Sequence, residues 1–476
     1  MREKSAAFER AKATLSQHGI PGILPELRDA GVYVRRTLLD GAHSAINYPP
    51  AGLLSPVVDA SESAQLAASA EFGAETRMYI HIAFCAKKCP FCHYAVVIDR
   101  SGRSDSERVF MKHYIEALKR ELRFYAEKFA KSGTTISQIY LGGGTGLILS
   151  TKQLQDLIGT VRDLFTVRNG AGFTVEGTPE VVAAPDGREK LLAVRELGAN
   201  RVTFGVQSFN NAVLKSAGRG HKRELVFRAA ETARSVFDNW GFDLMQGLQH
   251  GSNDTVWDDL CGVEKLQPMH LCWYQTRLPD SEIRRLKDEF EPEEVTHLGR
   301  MLIWQELEDI GYRIITGLRS LRGTWQDPFA QSHPFAVVGI GPSAYSRAIR
   351  IPGVPAGVFY RNIFDPRTYV EAVMQGRLPI GGKQVMNDEE QLAASYVVGL
   401  RRGRTEEDGR LREIRRRNPE LALHYRHIED RLLRLGVLER SNAGVKRLQF
   451  SRLGLLFQED VLSLFYSPTV QKRRAH

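Results

Sequence analysis

Segments with strand character and segments with helical character alternate through the middle of the chain, and this alternation constrains the fold most. The strand candidates are residues 76–82, 136–141, 172–176, 201–206, 241–245 and 269–275. The helix candidates between them are residues 106–131, 151–165, 186–197, 221–237 and 253–266. Such spacing is typical of repeated β-α-β units, whose strands run parallel. The sequence therefore predicts an α/β fold with a partial or full barrel and with chemistry at the carboxyl ends of its strands.

The flanking regions have different patterns. Residues 1–75 are interpreted as an N-terminal extension that packs on a barrel core of residues 76–346, and residues 347–387 as a linker. Residues 388–476 contain helical patterns, a predicted hairpin at 441–444 and a last amphipathic helix that ends near Tyr466. Helices followed by a small hairpin predict a helical, winged-helix-like C-terminal domain.

Composition narrows the classes of protein to consider. The hydrophobic fraction of 42% and the charged fraction of 25% are ordinary for a soluble globular chain. No apolar stretch reaches membrane-span length and the first residues lack a signal-peptide core, so we expect a cytoplasmic protein without a membrane partner. The net charge of +9 comes largely from arginines late in the chain. Since acidic residues are interleaved with these arginines, we interpret the arginines as parts of solvated helix faces and expect no nucleic-acid partner. We also expect a monomer.

Three of the five cysteines, Cys85, Cys89 and Cys92, fall within eight residues directly after the first predicted strand. Three thiolates on one loop can hold three corners of a [4Fe-4S] cluster, which normally takes four cysteines. One iron would then be open to another ligand, and that open iron would make the loop catalytic.

Two other interpretations of the cysteine loop stay open. A zinc site is one, since His81 and His93 are close in sequence, although zinc sites usually draw paired ligands from two separate loops. Three buried structural thiols are the other. The remaining cysteines, Cys261 and Cys272, lie in a helix pattern and a strand pattern, and both are expected in the core.

Glycine and polar residues follow or end the next predicted strands. The run Gly-Gly-Gly-Thr at 142–145 lets a backbone approach a ligand closely and offer its amides. Glu176 is a potential acceptor for an ammonium or ribose group, and Gln207 offers both donor and acceptor. Arg219 is suited to clamp a carboxylate, and Asp243 stands between apolar residues, where a charge needs a partner. Each could instead be an ordinary strand-end or loop residue, although the apolar neighbours of Asp243 favour a ligand role there.

These motifs together resemble the radical S-adenosylmethionine (SAM) superfamily, whose cluster signature is C-x3-C-x2-C with an aromatic residue, here Phe91, before the last cysteine. More narrowly, the chain resembles the oxygen-independent coproporphyrinogen III oxidase (HemN-like) family. The matching segments stand in family order at 79–85, 142–145, 176–180, 201–209, 218–221, 243–248 and 339–342, with a further match near 450–456.

The resemblance implies a [4Fe-4S] cluster on the three cysteines and two molecules of SAM. The first SAM would bind the open iron and contact Tyr79, Gly143 and Glu176. The residues implied for the adjoining second pocket are Phe91, Gly144, Thr145, Gln207, Arg219, Asp243 and Ile340. Tyr94 and His93 are candidates for a final proton transfer. A flavodoxin- or ferredoxin-type reductant is the implied protein partner.

Three departures from the family pattern favour one branch. Tyr94 stands where the oxidases carry a further cysteine, and Gly146 stands where they usually have a proline. Residues 331–336 differ from the motif of the related heme chaperones. We therefore expect a class C radical SAM methyltransferase or cyclopropanase, which transfers a methyl or methylene group to an sp2 carbon of an aromatic or unsaturated natural product. The alternatives are an oxidase-like or heme-modifying enzyme and a heme chaperone.

Overall fold

The computed structural model describes residues 3–17, 24–30, 48, 50–98, 105–248, 250–276, 293–323, 336–348, 357–401, 410–440 and 448–475. Its α-helices are α1 Lys4–Gln17, α2 Leu24–Asp29, α3 Ala60–Ser69, α4 Asp105–Ser132, α5 Thr151–Leu164, α6 Pro179–Val182, α7 Gly187–Glu196, α8 Asn211–Ser216, α9 Arg223–Val236, α10 Asn253–Leu266, α11 Glu293–Asp309, α12 Pro366–Met374, α13 Asp388–Arg401, α14 Arg410–Arg417, α15 Pro419–Arg434, α16 Arg452–Leu456, α17 Gln458–Leu464 and α18 Pro468–Ala475. Short 3-10 turns cover Ala51–Leu53 and Gly146–Ile148. Its strands are β1 Ser55–Pro56, β2 Glu75–Ile82, β3 Phe84–Cys85, β4 Val97–Ile98, β5 Thr135–Gly143, β6 Val167–Gly177, β7 Arg201–Gln207, β8 Trp240–Gln246, β9 His270–Gln275, β10 Tyr312–Ile314, β11 Arg319–Arg322, β12 Val337–Ile340, β13 Tyr345–Ala348, β14 Gly357–Asn362, β15 Ile380–Met386, β16 Leu438–Arg440 and β17 Leu448–Phe450.

Thirteen of the described strands form one sheet, in the order β1-β15-β14-β13-β12-β2-β5-β6-β7-β8-β9-β11-β10. The run β2-β5-β6-β7-β8-β9 is parallel throughout, and β12 joins β2 in parallel on the other side. These six consecutive strands are those predicted from the sequence, and the predicted helices connect them. The partial (β/α)6 barrel is therefore confirmed. Its strand order has two ends, so pairing among the described strands does not close a ring.

Helix α5 shows how local sequence builds these units. Ser150 caps the helix by accepting a hydrogen bond from Gln153 N, and the Gln153 side chain accepts one from Ser150 N in return. The buried residues then recur at helical spacing: Leu154, Leu157, Ile158 and Val161. This spacing places one apolar face against the sheet, and the helix is stabilised by that burial more than by intrinsic propensity.

The predicted linker over 347–387 is wrong for its described part, which extends the sheet. Strands β13, β14 and β15 pair in antiparallel fashion, and α12 lies between β14 and β15 in the chain. The prolines and glycines of residues 352–357 favour a linker by composition, but the apolar side chains that follow are buried, for example Phe359 and Tyr360. The domain boundaries themselves stay a prediction.

The described residues form two large apolar cores. The larger one joins the sheet to its helices and includes Ala7 and Ala11 of helix α1, so the N-terminal segment packs on the barrel. The second core joins α13, α15 and α17 to the hairpin β16–β17, and it also contains Leu27 and Tyr48. This helix-and-hairpin unit matches the predicted C-terminal architecture, while the turn at 441–444 lies outside the described residues. No helix in the described ranges is long and apolar enough to cross a membrane.

A buried carboxylate, Glu121 of α4, ties the last parallel strand to the antiparallel extension. It accepts hydrogen bonds from Tyr369 Oη at 2.6 Å, from Gly341 N at 2.9 Å and from Asn362 Nδ2 at 2.7 Å. Burial raises the pKa of Glu121 to about 7, against the effect of these donors. The folded chain therefore keeps this proton at pH values where the unfolded chain has lost it. Stability from this group falls as pH rises from about 4.5 to about 7.

We predict that Glu121→Gln flattens this pH dependence. Because Gln does not titrate, the decline in unfolding free energy between pH 4.5 and 7 should shrink by about 3 kcal/mol relative to wild type. Urea unfolding at a series of pH values measures it. Glu116→Gln, on a half-exposed position of the same helix, is the matched control and should keep the wild-type slope. Equal slopes for wild type and Glu121→Gln would contradict the assignment.

Candidate cofactor site

The three clustered cysteines lie on a loop whose two ends are held together. Strand β3, which contains Cys85, pairs in parallel with β4, and Val97 N donates to Ala83 O at 2.7 Å. Within the loop, Cys92 N donates to Cys89 O at 3.0 Å. This closed loop extends from the carboxyl end of β2, the position that the sequence predicted for it. Cys89 is buried, whereas Cys85 and Cys92 are half-buried.

The thiols share one environment. Burial raises the pKa of the Cys92 thiol, the Tyr94 backbone and the Lys88 ammonium oppose that rise, and the nearby Cys89 and Cys85 thiols add to it. The Cys85 Sγ lies 3.5 Å from Thr145 Oγ1, and Arg219 Nη1 donates to Cys89 Sγ at 3.4 Å. The donor Arg219 stabilises negative charge on the Cys89 sulfur, as a metal-cluster ligand requires.

The donor set fits an iron–sulfur cluster better than a single zinc ion. Both ring nitrogens of His81 are engaged, Nδ1 with Tyr79 Oη and Nε2 with Ala95 O, each at 3.0 Å. Burial lowers the pKa of His81 to about 4, so it serves as a neutral structural residue. Among the residues that the structure describes, no three His, Cys, Asp or Glu side chains gather closely enough to hold one ion. A cubane of four irons instead binds its thiolates at separate corners.

Tyr79, Gly143 and Glu176, the residues expected around a first SAM, lie in the carboxyl halves of the neighbouring strands β2, β5 and β6. Glu176 Oε2 accepts from Gly143 N at 3.0 Å, and Glu176 Oε1 accepts from Tyr140 Oη. The rings of Tyr79 and Tyr140 have centroids 6.0 Å apart. Burial raises the pKa of Glu176, while Tyr140, the Gly143 amide and Arg201 oppose that rise. The carboxylate is thus fixed at the mouth of the barrel beside the cysteine loop.

Two glycines let the strand end approach the cysteine loop. Gly143 has a φ of +110°, and a Cβ at this position would come within 2.6 Å of His81 Nδ1. A Cβ on Gly144 would overlap the carbonyl oxygen of Phe84. Gly144 N also donates to Ile82 O at 2.8 Å, so the backbone itself fills this space. The glycine run at 142–144 is therefore required by close packing as well as by backbone conformation.

The residues expected in the adjoining pocket are partly brought together. Arg219 contacts the cysteine loop through Cys89, and Arg219 Nη2 donates to Gly205 O at 2.7 Å, two residues before Gln207. Phe91 packs beside Val213, Ala217 and Leu248. The side chain of Ile340 is fully buried in the barrel core, and its assignment to the pocket stays a prediction.

Asp243 lies in the middle of β8, on the inner face of the barrel, between Phe242 and Leu244, which are buried on the outer side. Burial raises the pKa of Asp243 to about 7, and the charge of Glu176 adds to the effect, while Arg201 and Arg319 oppose it. A carboxyl group of this kind can hold or release a proton near neutral pH.

The predictions for the two remaining cysteines were wrong. Cys261 is exposed on α10, and Cys272 is half-buried on the inner face of β9. Strand register places Cys272 beside Asp243 on one side and beside Arg319 on the other. Burial raises the pKa of Cys272, and Asp243 raises it further. The alternation of side chains along β9 also turns Tyr274 inward. The pairing of Cys272 with Asp243 shows that both side chains face the inside of the barrel, but strand pairing cannot be read from a single sequence.

The two candidates for proton transfer differ in position. Tyr94 projects into the barrel opening: 55% of its surface is exposed, yet its ring centroid lies 6.0 Å from that of His81. Although the side chain is more than half exposed, desolvation of its hydroxyl inside the barrel opening raises the pKa of Tyr94, and the charges of Glu176 and Asp243 add to this. His93 is exposed on the cysteine loop. Tyr94 is thus the better placed of the two, and its role stays a prediction.

A parallel β/α barrel with a three-cysteine loop at its carboxyl end defines a protein of the radical SAM class. The profile of the Radical SAM superfamily matches residues 79–260. The heme chaperone HemW of Bacillus subtilis is 36% identical over 339 residues, which cover 68% of this chain and 83% of that protein. The oxygen-independent coproporphyrinogen III oxidase of Cereibacter sphaeroides is 26% identical over 368 residues, which cover 73% and 77%. The chain therefore belongs to the HemN/HemW-like family of the radical SAM superfamily.

The fold agrees with a solved member of this group. The structure of coproporphyrinogen III oxidase (HemN) from Escherichia coli matches with a TM-score of 0.73 at 20% identity, over 88% of this chain and 96% of that one. The superfamily uses a [4Fe-4S] cluster and SAM, which confirms the predicted cofactors. The number of SAM molecules stays a prediction, as do the individual residues assigned to them.

We predict that Gly144→Ala disrupts this site, because the added methyl group forces the strand end away from the cysteine loop. Overpacking of this kind costs about 1–3 kcal/mol. Calorimetry should show a lower Tm, and reconstitution should load less iron. Gly159→Ala is the control: this glycine lies in α5, where a Cβ meets nothing within 4 Å, so the change should raise stability by up to about 1 kcal/mol. A wild-type Tm and iron content for Gly144→Ala would refute the packing argument.

Proposed function

We propose that this protein holds a [4Fe-4S] cluster on Cys85, Cys89 and Cys92, cleaves SAM reductively and binds heme or a related tetrapyrrole, in the manner that the names of its relatives indicate. The observation that carries the proposal is the position of the cysteine loop against the Glu176–Gly143 pair. Cys85, Cys89 and Cys92 would hold three irons of the cluster and leave the fourth for SAM, and the loop that carries them lies at the end of the barrel where Glu176 is fixed.

The relatives support a tetrapyrrole over the substrate of a methyltransferase. Both relatives described above have names that refer to heme or coproporphyrinogen, and neither is named as a methyltransferase. Class C methyl or methylene transfer, expected from Tyr94, Gly146 and residues 331–336, receives no support from them. Residues 331–335 lie outside the described part of the chain. Heme binding of the HemW type is the first choice because that relative matches with the higher identity.

Each group at the site has a task in this proposal. When bound, the cluster supplies an electron that cleaves SAM to methionine and a 5′-deoxyadenosyl radical. Glu176, held by Tyr140 and the Gly143 amide, orients the polar end of SAM. Asp243, with a pKa raised to about 7, can hold or move a proton at its carboxyl oxygens. A flavodoxin- or ferredoxin-type protein would deliver the electron to a monomeric enzyme.

We predict that Cys89→Ala abolishes both the visible charge-transfer absorbance of the reconstituted protein and the cleavage of SAM. The cluster would retain only two thiolates, too few to hold it. Cys261→Ala is the matched control, since Cys261 is exposed and lies on α10, away from the loop. It should keep full absorbance and cleavage. Retention of both properties in Cys89→Ala would disprove the cluster assignment.

Product analysis and heme titration test the rest of the proposal. The reconstituted protein is reduced anaerobically with dithionite and given SAM, and nucleosides are measured by mass spectrometry with and without heme or coproporphyrinogen III. Deoxyadenosine without S-adenosylhomocysteine, together with saturable heme binding, is the expected result. S-adenosylhomocysteine formed along with deoxyadenosine would instead favour methyl transfer. Deoxyadenosine that appears only with coproporphyrinogen III would favour the oxidase alternative.

A further inference from the structure

Gln207, the last residue of β7, has an unusual backbone conformation. Its φ is +74°, in the left-handed region that glycine favours and that other residues seldom adopt. Its side-chain Oε1 is buried and has no hydrogen-bond partner within the part of the chain that is described. A strained, non-glycine residue with an unsatisfied polar atom persists only where its surroundings hold it, and such strain is common at ligand sites.

A carboxylate in the helix layer outside the barrel accepts hydrogen bonds from the two residues that follow Gln207. Asp259 of α10 is only 2% exposed, and its Oδ1 accepts from Ser208 Oγ at 2.8 Å and from Phe209 N. Ser208 Oγ in turn accepts from Asn210 N at 3.0 Å. The two residues after Gln207 are therefore attached to a helix of the outer layer, so the chain cannot continue in the extended direction of β7.

The residues that precede Gln207 are held from the other side. Val206 O lies 3.2 Å from His221 Nε2, and Gly205 O accepts from Arg219 Nη2 at 2.7 Å. His221 Nδ1 lies 3.2 Å from Glu180 Oε1. Burial would raise the pKa of Glu180, but His221 and Arg219 outweigh it and lower the pKa to about 2, so this carboxylate stays ionised and orients the imidazole.

We infer that Asp259 is a positioning residue that fixes Gln207 in the left-handed conformation and so presents its unpartnered Oε1 to a second SAM beside the cluster. The inference rests on the proposed function and on the prediction from family resemblance that Gln207 lines a pocket for a second SAM. The same attachment controls Arg219, because the chain runs from Asn210 through the short helix α8 to Gly218, where a Cβ would come within 3.0 Å of Pro90 on the cysteine loop. Asp259 therefore positions Gln207 and Arg219 through the chain that connects them, and not by direct contact with their side chains.

The variants are chosen to change the two hydrogen bonds that Asp259 Oδ1 accepts. Asp259→Ala removes the acceptor for both Ser208 Oγ and Phe209 N, and it allows Gln207 to relax toward the extended conformation. Asp259→Asn keeps one carbonyl oxygen in the place of Oδ1 and should rescue the function. Asp258→Ala is the matched control, since among the described residues the neighbouring carboxylate bonds to the half-buried side chain of Asn210, at 2.9 Å, and not to Ser208 or Phe209.

The experiment is a calorimetric titration of the reconstituted protein with SAM, together with the electron paramagnetic resonance of the reduced cluster. Wild type should bind two equivalents, and SAM on the cluster should change the resonance. Asp259→Ala should weaken the second equivalent about tenfold or more while leaving the resonance change intact, since second-layer partners typically cost 10–100-fold. A general structural defect would weaken both events together, and that result would overturn the inference.

A double-mutant cycle tests whether Asp259 acts through Gln207. Gln207→Ala should weaken the second equivalent, and Asp259→Ala combined with it should weaken it no further. Additive losses would overturn the inference and leave the proposed function untouched. A wild-type protein whose resonance does not respond to SAM would instead refute the proposed function. If Asp259→Ala does not fold, Ser208→Ala removes one of the two bonds and should show a smaller weakening, whereas a wild-type affinity would count against the inference.

Discussion

The parallel register of β2, β5, β6, β7, β8 and β9 is the constraint on which the rest of the structure depends. Because all six strands run in one direction, residues distant in sequence meet at one end of the barrel. The cysteine loop leaves β2, the glycine run ends β5, Glu176 ends β6 and Gln207 ends β7. None of these elements is a site alone. The hydrogen bond from Gly143 N to Glu176 Oε2 joins two of them directly.

Carboxylate side chains and glycine residues have different structural roles at this end of the sheet: the carboxylates accept hydrogen bonds from backbone amides, and the glycines avoid steric overlap. A strand that ends at a ligand site leaves backbone amides without a partner in the ladder, and a buried unpaired amide is costly. Three buried or half-buried carboxylates each accept one such amide: Glu176 from Gly143, Asp259 from Phe209 and Glu121 from Gly341. These turns are also crowded, so a side chain larger than hydrogen at Gly143 or Gly341 would collide with His81.

Much of this arrangement could be predicted from the sequence. Strand and helix periodicity located the six consecutive parallel strands β2, β5, β6, β7, β8 and β9, and the cysteine spacing indicated the cluster loop. What could not be predicted depends on pairing across the sheet. Cys272 was assigned to the core because its apolar neighbours resemble a buried strand, but only the register with Asp243 shows that it faces inward. Strands β14 and β15 were missed because prolines and glycines precede them. Asp259 carries no motif, since its partners lie 50 residues away in sequence.

The buried carboxylates also explain how a strained residue is tolerated beside the cluster loop. Burying a carboxylate is unfavourable, as the pKa of Asp259, raised to about 8, indicates. Its two hydrogen bonds offset that cost only when Ser208 and Phe209 take their present positions, and these positions require the positive φ of Gln207. The strain in Gln207 and the desolvation of Asp259 are thus coupled: relaxing the strand would leave the carboxylate buried without donors. The geometry at the mouth of the barrel is therefore determined by groups in the outer helix layer, such as Asp259, which lie outside the ligand pocket.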